Sequence, residues 1–202
     1  MLHGHGDDAY LYKHAIKANF STNIWYGGKS EKLNAFIQDN LDKIYAYPEA
    51  AAESLNNLIA LDQNVSSDQV LTCNGATEAF YLIAQAYHSK TSTIIIPTFA
   101  EYEDACKVNK HQLNFLNWSC LQSTTLFAEG LVWLCNPNNP DGRVIEKTFL
   151  ESLLKNNTKC TFVIDEAYID FTDAISSAID LVDKYSNLIL VKSLTKISPY
   201  LA

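Results

Sequence analysis

The sequence predicts an α/β fold in three layers, a mostly parallel sheet with helices on both faces. Three observations predict it. From residue 70 onward, short apolar runs alternate with amphipathic stretches of helical length. The isoleucine-rich run 93–97 is bounded by proline, the pattern of a strand buried on both faces. Polar, turn-forming motifs follow the runs, at the carboxyl rim where a parallel sheet holds its ligands.

The elements follow in order. Residues 1–30 carry four of the seven glycines and little periodicity, and read as an extended arm. Helices are predicted over 30–42 and 50–61. A short apolar run at 70–73 reads as a strand. The helix after it, 76–88, has apolar residues at 79, 80, 82, 83, 86 and 87. Then come the strand at 93–97, a helix over 100–109, and strands at 114–118 and 131–135. A helix over 146–156, a strand at 160–165, a helix over 174–185 and a strand at 188–192 complete the series. The chain thus divides into an arm with helices, 1–62, and a sheet-forming domain, 63–202.

Composition narrows the function. Fifteen basic and 23 acidic residues leave a net charge of -8, which argues against nucleic acid or an anionic membrane as partner. An anionic ligand would need local donors, such as a helix N-terminus. The cysteines at 73, 106, 120, 135 and 160 stand singly, without metal-ligand spacing, as reduced core thiols do. His3 and His5 lie close together, but two histidines on an arm rarely make a metal site. With no apolar leader and no membrane-length run, the expectation is a soluble cytoplasmic protein without a metal.

Four motifs suggest chemistry. Asn74-Gly75-Ala76-Thr77-Glu78 lies where a strand becomes a helix. Its amides and the Thr77 hydroxyl suit a phosphate; equally, it is an ordinary helix cap. Asn136-Pro137-Asn138-Asn139-Pro140-Asp141-Gly142 is denser than a turn requires, and Asn139 can donate an amide to a phenolate oxygen. Asp165 ends an apolar strand, where a carboxylate needs a partner such as a protonated pyridine nitrogen, a helix cap or a metal. Tyr168 can reach the same oxygen as Asn139. Lys196, flanked by Ser193 and Thr195, is either a surface lysine or an amine that sheds its proton and condenses with an aldehyde. Phe99 is either core or a ring that stacks on a flat heterocycle.

In order and placement these motifs resemble the large domain of fold-type-I pyridoxal phosphate enzymes, in the branch of histidinol-phosphate aminotransferase and threonine-phosphate decarboxylase. The likeness runs from about Asn19 to Lys196. It implies that Gly75, Ala76, Thr77 and Ser193 hold the cofactor phosphate and that Phe99 stacks on its ring. Asn139 and Tyr168 would bind the ring hydroxyl and Asp165 the ring nitrogen, while Lys196 forms the imine. Catalysis would fall to Lys196, Asp165 and Tyr168. Tyr47, in Tyr45-Ala46-Tyr47-Pro48-Glu49, resembles a tyrosine that reaches the partner's phosphate across a homodimer.

The sequence departs from the family pattern at Trp25-Tyr26, where an Asn-Pro pair is usual, and at Asp141, where threonine is usual. After Lys196 the family continues into a Pro-Gly-Leu-Arg-Leu-Gly type segment; here the sequence reads Ile197-Ser198-Pro199-Tyr200-Leu201-Ala202 and ends. Against that family the chain reads as truncated. It lacks the antiparallel strand between the 70–73 and 188–192 strands, and the C-terminal small domain. The expectation is that it folds poorly or aggregates through exposed edges.

The resemblance implies an aminotransferase that passes an amino group from an amino acid or amino-phosphate to a 2-oxo acid. A threonine-phosphate decarboxylase of cobalamin biosynthesis is the near alternative, favoured by Phe99-Ala100-Glu101-Tyr102-Glu103. A non-catalytic remnant is the distant one. A nucleotide-binding domain is disfavoured by the lack of Gly-x-Gly-x-x-Gly and of a Walker loop.

Overall fold

A computed structural model describes residues 11–18, 23, 25 and 30–196. Its centre is a five-stranded parallel sheet made by β1 (Thr91–Ile96), β2 (Gln112–Asn117), β3 (Gly130–Cys135), β4 (Cys160–Asp165) and β5 (Leu188–Val191), in the order β2-β1-β3-β4-β5. Every neighbouring pair runs parallel. All five strands therefore point their carboxyl ends to one rim.

Side chains of alternate residues go to opposite faces, as the pleat requires. Leu131, Trp133 and Cys135 of β3 pack with Phe80 and Ala84 of α3 (Gly75–Ala86) and with Tyr102, Ala105 and Cys106 of α4 (Glu101–Val108). Val132 and Leu134 face the other way, onto Leu150, Leu153 and Leu154 of α5 (Lys147–Asn156) and Leu181. Helices thus cover both faces, and β3 and β4 are buried almost end to end. Gly130 opens β3 with φ +141°, and a Cβ there would meet the Thr91 carbonyl oxygen at 2.1 Å, so the β1–β3 approach has no room for a side chain.

The 93–97, 131–135, 160–165 and 188–192 strands, the 146–156 helix and the 100–109 helix are present within two residues of their expected ends. The two predicted N-terminal helices appear as α1 (Glu31–Asp39), opened by a Ser30 cap, and α2 (Glu53–Gln63). Expectations for His3, His5, Asn19, Tyr26 and residues 197–202 lie outside the described residues.

Two predicted elements are not there. Residues 70–73 form no strand. Among the described residues no strand lies beside them, the Thr72 amide donates to Asn56 Oδ1 at 3.1 Å, and Leu71 is exposed. An apolar run becomes a strand only by pairing. Residues 174–185 form no α-helix, only turns around a single 3₁₀ turn, Ile179–Leu181. The buried Glu166 carboxylate accounts for this. It takes the Ala178 amide at 2.7 Å and the Ser177 hydroxyl at 2.5 Å, and Ser177 Oγ accepts the Ile179 amide at 3.2 Å. Side-chain acceptors have displaced the helical carbonyls.

Candidate active site

Asp165 ends β4, opposite Cys135 of β3 and Val191 of β5, and is 4% exposed. Its Oδ1 accepts the Ala167 amide at 2.9 Å. Its Oδ2 accepts the hydroxyl of Tyr102. Burial pushes the Asp165 carboxyl above its ordinary value; the Tyr102 hydrogen bond, the Ala167 amide, the Lys196 charge and Cys135 oppose it. Burial, reinforced by the Asp165 charge, pushes the Cys135 thiol up to about 12.

Lys196 lies on the same rim. Its Nζ stands 5.7 Å from the centre of the Tyr168 ring, and its backbone carbonyl accepts the Trp25 amide at 2.8 Å. Tyr168 and Asn139 line a cleft of about 430 Å³ together with Asn23, Pro137, Phe171 and Thr172. Burial raises the Tyr168 phenol, and a hydrogen bond with the Asn23 side chain works the other way. Trp25 lies against Phe171 (6.1 Å) and Phe171 against Tyr168 (6.2 Å).

The asparagine cluster divides its labour. Asn136 bridges the Ile145 amide and carbonyl at 2.9 and 3.1 Å. Asn138 donates to the Pro97 carbonyl at 3.0 Å and to Asp141 Oδ1 at 2.8 Å. Both brace the loop, and Asp141 belongs to that brace. Asn138 and Asn139 both line the cleft with Tyr168.

At the start of α3, Asn74 makes no side-chain cap bond, and Glu78 instead reaches back to the Asn74 amide. Gly75 has φ +81° with open space where a Cβ would stand. Gly75 and Ala76 are half-buried and Thr77 is exposed. Ser193 is buried, its hydroxyl 2.8 Å from that of Thr195. Phe99 is half-buried against Phe80 (6.5 Å) and Tyr102 (6.0 Å). The structure thus gathers Lys196, Asp165, Tyr168 and Asn139, with Phe99 joined to them through Tyr102. Tyr47 is not among them: it is fully exposed and does not line the cleft. Sequence reasoning gave Tyr102 and Cys135 no role in the site, because their partner Asp165 lies far along the chain.

The raised carboxyls give a pH signature. Burial raises both Asp165 and Glu166, the latter opposed by Ser177 and the Ala178 amide. A raised folded value means that the folded chain binds the proton more tightly than the unfolded one. That contribution is full below the ordinary values of 3.8 and 4.5 and is lost as pH rises through the raised ones. Asp165→Asn removes one share. The urea midpoint of the cofactor-free variant should therefore gain on the wild type as pH rises; parallel curves would refute the assignment.

These residues and this fold define a class. The chain belongs to the aminotransferase class I and II family, whose model matches residues 15–198. It is 32% identical to the histidinol-phosphate aminotransferase of Blochmanniella floridana over 197 residues, covering 92% of this chain and 55% of that one. It is 29% identical to the threonine-phosphate decarboxylase of Salmonella typhimurium, covering 88% and 52%. Among solved structures, it resembles the L-threonine-O-3-phosphate decarboxylase of Porphyromonas gingivalis with a TM-score of 0.77 and 35% identity, over 87% of this chain and 56% of that one. The histidinol-phosphate aminotransferase of Clostridium acetobutylicum gives 0.73 and 26%, over 88% and 55%. The fold is that of the large domain of fold-type-I aminotransferases. The chain spans about half the length of the curated relatives it matches. Among the described residues no helix is long and apolar enough to cross a membrane, and no cluster of three or more His, Cys, Asp or Glu could hold a metal ion.

Enzymes of this family depend on pyridoxal phosphate. The residues present fit that group. A buried carboxylate suits a pyridinium nitrogen and a nearby amine suits an aldehyde. Gly75 leaves space at a helix N-terminus, and the buried Thr98 hydroxyl lacks a hydrogen-bond partner on the same rim.

Proposed function

We propose that this chain forms the cofactor-binding part of a pyridoxal phosphate-dependent aminotransferase, moving an amino group from an amino acid or amino-phosphate to a 2-oxo acid. The observation that carries the reading is the buried Asp165 carboxylate, held within the influence of Lys196 and beside Tyr168 and the Asn139 cleft. When bound, the cofactor supplies an aldehyde that captures amines and a ring that withdraws electrons.

The chain's own residues do the rest. Gly75, Ala76, Thr77 and Ser193 hold the phosphate at the start of α3. Phe99 would stack on the ring, Asn139 and Tyr168 would donate to its oxygen, and Asp165 would keep the proton on its nitrogen. The Lys196 Nζ, as a free amine, would take and return the proton at the substrate's α carbon. Tyr168 flanks that nitrogen and limits its swing. In this reading the cofactor-binding domain is residues 63–202, and Asn23 of the preceding 1–62 segment adds to the cleft wall. Tyr47, exposed beside Tyr45 and Ile44, suits a homodimer in which it reaches the partner's phosphate. The parent enzyme would work in the cytoplasm.

One observation favours a second reading, decarboxylation of a phosphorylated amino acid: the 35% identity to the Porphyromonas gingivalis decarboxylase. Purified chain mixed with pyridoxal phosphate should turn yellow, and incubation with threonine phosphate or histidinol phosphate separates carbon dioxide release from keto-product formation. A chain that stays colourless in excess cofactor contradicts both readings and leaves a non-catalytic remnant.

A further inference from the structure

Tyr102, in the segment Phe99-Ala100-Glu101-Tyr102-Glu103, makes a demanding contact at the rim. It is 1% exposed. Its ring stacks on Trp133 at 5.6 Å and 17°, meets Phe80 edge-on at 4.9 Å and 88°, and stands edge-on to Phe99 at 6.0 Å. Three aromatic walls fix both side-chain torsions, so the hydroxyl has one direction available. That direction is Asp165 Oδ2. A phenylalanine would fill the same cage. A buried hydroxyl is tolerated there only because an acceptor meets it.

We infer that Tyr102 is a positioning residue of this site: its phenol fixes the plane of the Asp165 carboxylate and makes that group an acceptor. The inference deepens the cofactor reading above and rests on it. Oδ1 is engaged by the Ala167 amide and Oδ2 by Tyr102. Cys135 is a third hydrogen-bonding neighbour, and two carboxylate oxygens accept about four hydrogen bonds between them, so one direction remains for a ligand. A basic ring nitrogen meets a carboxylate already turned to receive it.

The groups facing Asp165 come from every neighbouring element. Tyr102 comes from α4, Cys135 from β3, the Ala167 amide and Tyr168 from the loop after β4, and Lys196 from the segment after β5. Burial holds the Tyr102 phenol well above its ordinary value, so it enters the pair as a neutral donor. Of the influences that oppose the burial of the Asp165 charge, its hydrogen bond is the largest. The Lys196 charge acts in the same sense, so the amine and the phenol share the task of keeping the carboxylate charged.

The test uses the full chain without cofactor, with ¹³C at aspartate carboxyls and at tyrosine Cζ. In the unaltered chain, the Tyr102 Cζ resonance should move through the same midpoint as the Asp165 carboxyl. In Tyr102→Phe, the Asp165 midpoint should rise, and absorbance titration should show pyridoxal phosphate binding about tenfold weaker. A Tyr102 resonance that stays flat while Asp165 titrates overturns the inference, as does an unmoved Asp165 midpoint in the variant. Should the variant not fold, the coupled titration of the unaltered chain still decides. If that coupling is present while the unaltered chain binds no pyridoxal phosphate, Tyr102 does hold Asp165, and it is the cofactor reading that fails.

Discussion

Lys196→Ala is expected to lose the yellow band that stays with the wild-type chain after gel filtration from stoichiometric pyridoxal phosphate, while Lys192→Ala keeps it. The two lysines lie four residues apart and differ in what surrounds them. Lys192 is exposed, with its Nζ 3.1 Å from Gln63 Oε1 and its charge felt by Glu166. Lys196 is half-buried, its Nζ over the Tyr168 ring and its charge felt by Asp165. Its carbonyl is tied to Trp25. An amine on a flexible stem gains most as a nucleophile when such neighbours limit its positions. The same nitrogen is the proposed proton carrier. General acid–base assistance is worth about 10²–10⁴-fold, so exchange of the substrate's α proton in the alanine variant should fall by at least about a hundredfold. An alanine variant that colours like the wild type would remove Lys196 from the mechanism.

Trp133→Ala should cause the largest loss of stability. Trp133 is fully buried at the middle of β3, opposite Ile94 of β1 and Val163 of β4. It stacks on Tyr102, meets Phe80 edge-on at 6.1 Å, and donates its Nε1 hydrogen to Ser92 Oγ at 3.1 Å. Truncation leaves a cavity between sheet and helices and removes a donor from Ser92. Losses of roughly 3–5 kcal/mol are usual for such a change. Against a whole-domain stability of about 5–15 kcal/mol, this is a large fraction. It should appear as a much lower urea midpoint. Phe115→Ala, at a half-exposed position on the edge strand β2, should move the midpoint far less. Because Trp133 is one wall of the Tyr102 cage, its loss should also weaken cofactor binding in whatever fraction stays folded.

The sheet was legible because its signal is local. Isoleucine and valine runs ended by Asn, Pro or Asp mark buried parallel strands, and each marked end carries a candidate site residue on the rim. Asp165, Tyr168, Asn139 and Lys196 could be named for the same reason: each follows its strand within a few residues. What the sequence hid depends on distant partners. Residues 174–185 have helical periodicity, but Glu166, which takes the Ala178 amide, lies twelve residues away. Residues 70–73 have strand composition, and among the described residues no strand lies beside them. Tyr102 and Asp165 are 63 residues apart, with no spacing rule to join them. One clue was available: a tyrosine among apolar helix positions needs a partner for its hydroxyl. Ser193 Oγ accepts the Thr195 amide at 3.3 Å and lies 2.8 Å from the Thr195 hydroxyl, a local pairing that its sequence alone does not reveal.

The most direct measurement is the site of covalent attachment. Wild-type chain saturated with pyridoxal phosphate, reduced with borohydride, digested and mapped by mass spectrometry should carry the cofactor on Lys196 alone. Label spread over exposed lysines such as Lys192, Lys110 and Lys184, with Lys196 unmodified, would contradict the account.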